Sequence, residues 1–305
     1  MTTIHLIGAP TDIGASVRGA SMGPEALRVA RLVEALQALG HTVCDTGNLV
    51  GPANPQQAPQ GGYRHLDECV AWNEAVEQAV SAALSAGHLP ILLGGDHCLA
   101  IGSIAAVAAH CRRRGRRLRV IWLDAHTDFN TRDITPSGNL HGMPVAVLCG
   151  HGPEPLLRIA GTVPALQTAE VRQLGVRSVD PQEREFVHTH QLEVFDMRYI
   201  DEVGMRAAMQ QALMGVDEDT HVHVSFDVDF LDPDVAPGVG TPVRGGPTWR
   251  EAQLCMEMLA DCGQVGSLDI VELNPAQDVR NRSAECVVEL VESLFGKSTL
   301  MRCRD

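Results

Sequence analysis

The sequence predicts a three-layer α/β/α fold around a mainly parallel sheet of about eight strands. Short β-branched or aliphatic runs alternate with longer amphipathic stretches along the chain, the pattern of strands and helices in turn. Three of those apolar runs end in clusters of Asp and His, where open parallel sheets carry their ligand sites. With 305 residues and 45% hydrophobic content, the chain can bury a full core and reads as one domain spanning 1–305.

Strands are expected near 3–8, 41–45, 90–94, 119–124, 170–176, 192–195, 221–228 and 266–272. Helices are expected over 24–39, 66–86, 98–112, 201–214, 248–261 and 284–294. Gly23-Pro24 announces the first helix and Gly40 stops it. The Pro-, Gly- and Gln-rich segment 47–62 reads as a surface loop, because the same alternation continues on both sides. The order of the strands is not readable at this level.

Composition narrows the function. The start, Met1-Thr2-Thr3-Ile4-His5, lacks a basic region followed by an apolar stretch, and no apolar run reaches membrane-spanning length. A soluble cytoplasmic protein with no membrane partner is expected. The nine cysteines (Cys44, Cys69, Cys98, Cys111, Cys149, Cys255, Cys262, Cys286 and Cys303) form no Cys-x-x-Cys pair, so reduced, mostly buried thiols are expected. A formal charge of −14 argues against nucleic acid as a partner. The basic run Arg112-Arg113-Arg114-Gly115-Arg116-Arg117 reads as a solvated helix C-terminus, where cations favour the macrodipole.

The chemistry lies at three strand ends. Val120-Ile121-Trp122-Leu123 runs into Asp124, His126 and Asp128, spaced by two and therefore on one face of an extended backbone. His223-Val224-Ser225-Phe226 runs into Asp227 and Asp229 in the same way. Pro90-Ile91-Leu92-Leu93 runs into Gly94-Gly95-Asp96-His97, whose glycines are expected to permit a tight turn aiming His97 over the sheet. Two imidazoles and four carboxylates without sulfur favour a hard divalent metal such as manganese, and their number suits a pair of ions. Any one of these residues would ordinarily be a helix cap or a structural histidine. Meeting in one crevice, the carboxylates would repel one another without cations or protons between them. His221 and His223 precede the strand end and are assigned to packing or solvent.

These motifs, Gly-Gly-Asp-His, Asp-Ala-His-x-Asp and Asp-x-Asp in that order, resemble those of the ureohydrolase family, and the resemblance runs from Ile4 through Leu294. It implies the arginase-like fold and two Mn2+ per subunit. His97, Asp124, Asp128 and Asp227 would hold one ion, and Asp124, His126, Asp227 and Asp229 the other. The segment Ser137-Gly138-Asn139-Leu140-His141-Gly142 is similar to that of bacterial-type arginases rather than agmatinases. That likeness implies hydrolysis of L-arginine to L-ornithine and urea by a metal-bridging hydroxide. Asn130, Thr135, Ser137 and Asn139 would then bind the substrate carboxylate, Asp180 its ammonium group and Glu272 its guanidinium, with Thr241 supporting the pocket. Asp128 would relay a proton, and His141 would shuttle protons at a near-neutral pKa. Ser178 stands where animal arginases carry an aspartate, and Phe230 where glycine is common. The alternatives are a family member acting on agmatine, guanidinobutyrate or formiminoglutamate, or a non-catalytic metal-binding member. The likeness also implies a homo-oligomer, a trimer or hexamer.

Overall fold

The structure, a computed structural model, describes residues 2–300, so Cys303 lies outside the described residues. Eight strands form one sheet: β1 (Thr3–Ala9), β2 (Thr42–Asn48), β3 (Leu89–Gly94), β4 (Arg117–Leu123), β5 (Val171–Leu174), β6 (Glu193–Phe195), β7 (Thr220–Asp227) and β8 (Val265–Val271). Their order is β2-β1-β3-β8-β7-β4-β5-β6, and every neighbouring pair is parallel. The sheet is thus parallel throughout rather than mainly so.

Alternation along each strand feeds two cores. Ile4, Leu6, Ile91, Leu93, Ile121 and Leu123 face one layer, with Leu27, Leu36, Ile200, Met256 and Leu290 among its helical residues. Ile7, Leu92, Val120 and Trp122 face the other, packed with Val76, Val80, Ile101 and Ile104. Both faces are covered, so β3 and β7 are buried along their whole length, β3 as an apolar run and β7 with His221, His223 and Ser225 alternating with Val222, Val224 and Phe226.

Two expected helices are broken. The span 24–39 divides into Gly23–Val29 and Leu32–Ala38, because Arg31 between them takes a left-handed conformation, φ 68°. No glycine or proline marks that break. The span 201–214 begins earlier, at Met197, and divides at Gly204, whose φ of 84° suits glycine. The short helices Pro144–Leu148 and Glu154–Leu157 and the helix Pro181–Thr189 were not expected; the last starts with a capping box of Asp180 and Glu183.

The basic run closes the helix Ala100–Arg114, with Gly115 as its left-handed cap. Arg112 and Arg116 donate to backbone carbonyls, and Arg117 pairs with Asp217, so these cations staple loops. The eight described cysteines are free thiols, and five of them are buried.

Candidate metal centre

The four strands at the middle of the sheet, β3, β8, β7 and β4, end side by side. Their carboxyl ends lead into His97, Glu272, the pair Asp227 and Asp229, and the triplet Asp124, His126 and Asp128. The expected convergence of chain segments is therefore a consequence of strand order. His97 Nδ1 lies 3.0 Å from Asp227 Oδ2, 3.1 Å from Asp124 Oδ2 and 3.2 Å from Asp128 Oδ2. His126 Nδ1 lies 3.3 Å from Asp124 Oδ1 and 3.2 Å from Asp229 Oδ2. All six are buried except His126, which is partly exposed. Two sets, His97 with Asp124 and Asp227, and Asp124 with His126 and Asp229, have ligand atoms close enough to hold an ion each.

The electrostatics say what such a site lacks. Burial, with the neighbouring Asp124 charge, pushes Asp128 up to about 7. Burial together with Asp229 and Asp124 holds Asp227 well above the ordinary carboxylate range. Burial would lower His97, but the carboxylates around it raise its pKa well above that of a free imidazole. Protons are drawn in because anions outnumber cations, and divalent ions on the same nitrogen and oxygen atoms would displace them. The donor set fits a hard divalent metal.

Residues beyond the expected set hold the ligands in place. Ser225 Oγ lies 2.8 Å from His97 Nε2, which leaves Nδ1 facing the carboxylates. The Trp122 ring stacks on His97 with centroids 4.1 Å apart, and its Nε1 donates to Asp124 Oδ2 at 2.9 Å. Both precede an aspartate by two, so the alternation that found Asp124 and Asp227 could have found them. Arg177 carried no such signal. Its guanidinium donates to the carbonyls of Gly175, Asp229, Phe230, Leu231 and Val243, clamping the loop that bears Asp229.

The glycines before His97 act differently from the expectation of a tight turn. Neither Gly94 nor Gly95 has a positive φ. A Cβ on Gly95 would fall 1.6 Å from Thr11 O, so glycine is required for close approach of two chain segments. Phe230 likewise has its own accommodation: it is fully buried, and a Cβ on Gly175 would lie 2.4 Å from its ring. His221 and His223 are packed away from solvent and share Ser267 Oγ at 2.8 and 2.9 Å.

A cavity opens beside the centre, lined by His126, Asp128, Asn130, Thr135, Ser137, Asn139, His141, Ser178, Asp180, Glu183 and Thr241. Asn130 Nδ2 donates to Asp180 Oδ2 at 3.1 Å, while Asn130 Oδ1 is buried without a partner. Thr135 Oγ1 accepts from the Ser137 and Gly138 backbones, and Ser137 Oγ from that of Asn139. Thr241 Oγ1 donates to Asp229 Oδ2 at 2.9 Å. Glu272 is buried beneath this wall, where its Oε1 accepts from the His97 backbone N–H at 2.8 Å and lies 2.9 Å from His141 Nδ1. Burial opposes the charge on His141, yet Glu272, with Asp96 and Asp128 behind it, raises its pKa to about 9 rather than leaving it near neutral. Asp128 and Glu272 both hold left-handed backbones, φ 48° and 61°, and such strain gathers at functional sites.

Imidazoles and carboxylates converging beyond a parallel sheet, next to a polar cavity, form a candidate divalent-metal site of the kind that hydrolases use to activate water. The profile of the Arginase family matches residues 2–296. The arginase of Brucella melitensis is 46% identical over 97% of each chain. The solved arginase of Bacillus caldovelox, 40% identical, superposes with a TM-score of 0.92 over 98% of this chain and all of its own. That of Entamoeba histolytica, solved in complex with L-ornithine, is 28% identical, with a TM-score of 0.88 over 97% and 98% of the two chains. The chain belongs to the arginase family.

Proposed function

We propose that this protein hydrolyses L-arginine to L-ornithine and urea, with two manganese ions per subunit. The observation that carries the reading is the adjacency of two His/Asp clusters to a cavity lined by Asn130, Thr135, Ser137, Asn139 and Asp180. The L-ornithine bound to the Entamoeba histolytica arginase supports the same product class. His97, Asp124, Asp128 and Asp227 would hold one ion, and Asp124, His126, Asp227 and Asp229 the other. When bound, such ions supply Lewis acidity and a water-derived nucleophile at neutral pH.

The protein's own groups then bind and move protons. Asn130, Thr135, Ser137 and Asn139 meet the carboxylate of the amino acid, and Asp180 meets its ammonium. Glu272 uses Oε1 on His141 and the His97 backbone, which leaves Oε2 for a guanidinium N–H. Asp128, at the edge of the cluster and lining the cavity, relays a proton toward the departing amine. His141, paired with Glu272, holds its proton through neutral pH and delivers it from the cavity wall.

Among the described residues no helix is long and apolar enough to cross a membrane. The reading further places one domain over 1–305, in the cytoplasm, assembled as a trimer or hexamer of like subunits. The direct test strips the protein of metal, reloads it with manganese and measures urea from L-arginine, agmatine and guanidinobutyrate, and formamide from formiminoglutamate. Urea release with L-arginine strongly preferred is the expected result, and a preference for any of the others overturns the substrate assignment.

A further inference from the structure

The loop after β2, residues 49–62, continues into Tyr63-Arg64, and this stretch packs against the cavity wall. Arg64 N donates to Gly138 O at 2.8 Å, and Gly138, at φ 72°, abuts Pro59 and Gly62. The Arg64 side chain reaches on to Asn139, with Nε donating to Asn139 Oδ1 at 2.7 Å and Nη1 to Gln57 O at 3.0 Å. Ser16 Oγ donates to the same Oδ1 at 2.8 Å. Both lone pairs of that carbonyl oxygen are therefore taken.

The consequence is a fixed amide. A hydroxyl can turn to accept a hydrogen bond, but a guanidinium has no acceptor, so a flipped Asn139 would set its NH2 against Arg64 Nε–H. Arg64 forbids that flip. Asn139 lines the cavity, and its Nδ2 has no acceptor among the described residues, so the amide is left there as a donor. Arg64 forms no ion pair among the described residues either, and its charge polarises the amide from behind.

We propose that Arg64 is a specificity-determining positioning residue, which locks Asn139 with Nδ2 as donor so that the cavity prefers guanidino substrates bearing an α-carboxylate. The inference rests on the reading above that Asn139 meets that carboxylate. It assigns the loop 57–64 a part in substrate choice.

The test uses the manganese-loaded protein and two variants, Arg64→Gln and Arg64→Lys. Glutamine fills the space but can accept, so the amide is free to flip; lysine cannot accept and keeps the charge. Calorimetry compares L-ornithine with 1,4-diaminobutane, which lacks the carboxylate, and kinetics follow L-arginine. In Arg64→Gln, L-ornithine binding should weaken and the KM for L-arginine rise by about tenfold, as for loss of a charge-assisted hydrogen bond. kcat should change less than KM, 1,4-diaminobutane should bind as before, and Arg64→Lys should recover part of the loss. In an Asn139→Ala background the glutamine substitution should add less than about twofold, since the effect runs through the amide. Equal weakening of both diamines, or a full effect without Asn139, overturns the proposal. An unsubstituted protein that binds L-ornithine no better than 1,4-diaminobutane rejects the carboxylate reading itself, before any variant is compared.

Discussion

Ser225 touches no cation, yet it decides which nitrogen of His97 faces the carboxylates. Its hydroxyl sits on Nε2 and leaves Nδ1 toward Asp124, Asp128 and Asp227. Such outer partners fix the tautomer and orientation of a ligand, and their loss costs about 10–100-fold in metal affinity. Ser225→Ala should show a loss of that size when metal-free protein is titrated with manganese; an unaltered isotherm would rule the orienting role out. Asp227→Asn should be harsher, because it removes an anion that lies against His97 and Asp124 in one of the two clusters, where burial, Asp229 and Asp124 already disfavour its charge. Metal analysis should find manganese depleted, with turnover nearly abolished, and full occupancy with normal turnover would remove Asp227 from the ligand set.

At the scale of elements, the loop following β7 is held from three sides. Arg177 ties its carbonyls to the end of β5 and to Val243, and Thr241 grips the Asp229 carboxylate. The Phe230 ring fills the space left by the missing side chain of Gly175. Gly175 sits at φ 91°, so an added methyl meets both the ring and an unfavourable backbone. Gly175→Ala should destabilise the fold by about 1–3 kcal/mol or more in urea unfolding. The same substitution should cost less in a Phe230→Ala background, since the pair is in contact. Equal costs in the two backgrounds would mean the ring is not what glycine accommodates.

The molecule as a whole carries buried imidazole beyond its metal centre. His221, on β7 against Ser267 of β8, is held down to about 3 by burial first and then by His223, Arg116 and His110. A histidine whose folded pKa is depressed is neutral in the fold and takes up its proton mainly on unfolding. Its contribution is present above the unfolded pKa of 6.5 and is lost as pH falls toward 3. Stability should therefore decline by about 1.4 kcal/mol per pH unit from this group below 6.5. His221→Asn should flatten the fall of the urea midpoint between about pH 6 and 4 relative to the parent, and identical slopes would exclude His221 as its source.

Local pattern alone determined a good deal: eight short runs that became eight strands, five ligand candidates picked out by a spacing of two at strand ends, and a sixth, His97, by the Gly-Gly-Asp-His run. Those features follow from periodicity, which a chain carries before it folds. Strand order was decided by tertiary packing, and it is the order that sets β3, β8, β7 and β4 side by side so that His97 meets Asp227 across 130 positions of sequence. Gly95 shows the same division in one residue, for its glycine was visible but the Thr11 carbonyl pressing on it was not. Arg177 and Arg64 left no mark in the sequence, because their partners are backbone carbonyls and one distant amide. Contacts between segments remote in sequence depend on how crossovers route the chain, and no window of neighbouring residues encodes that routing.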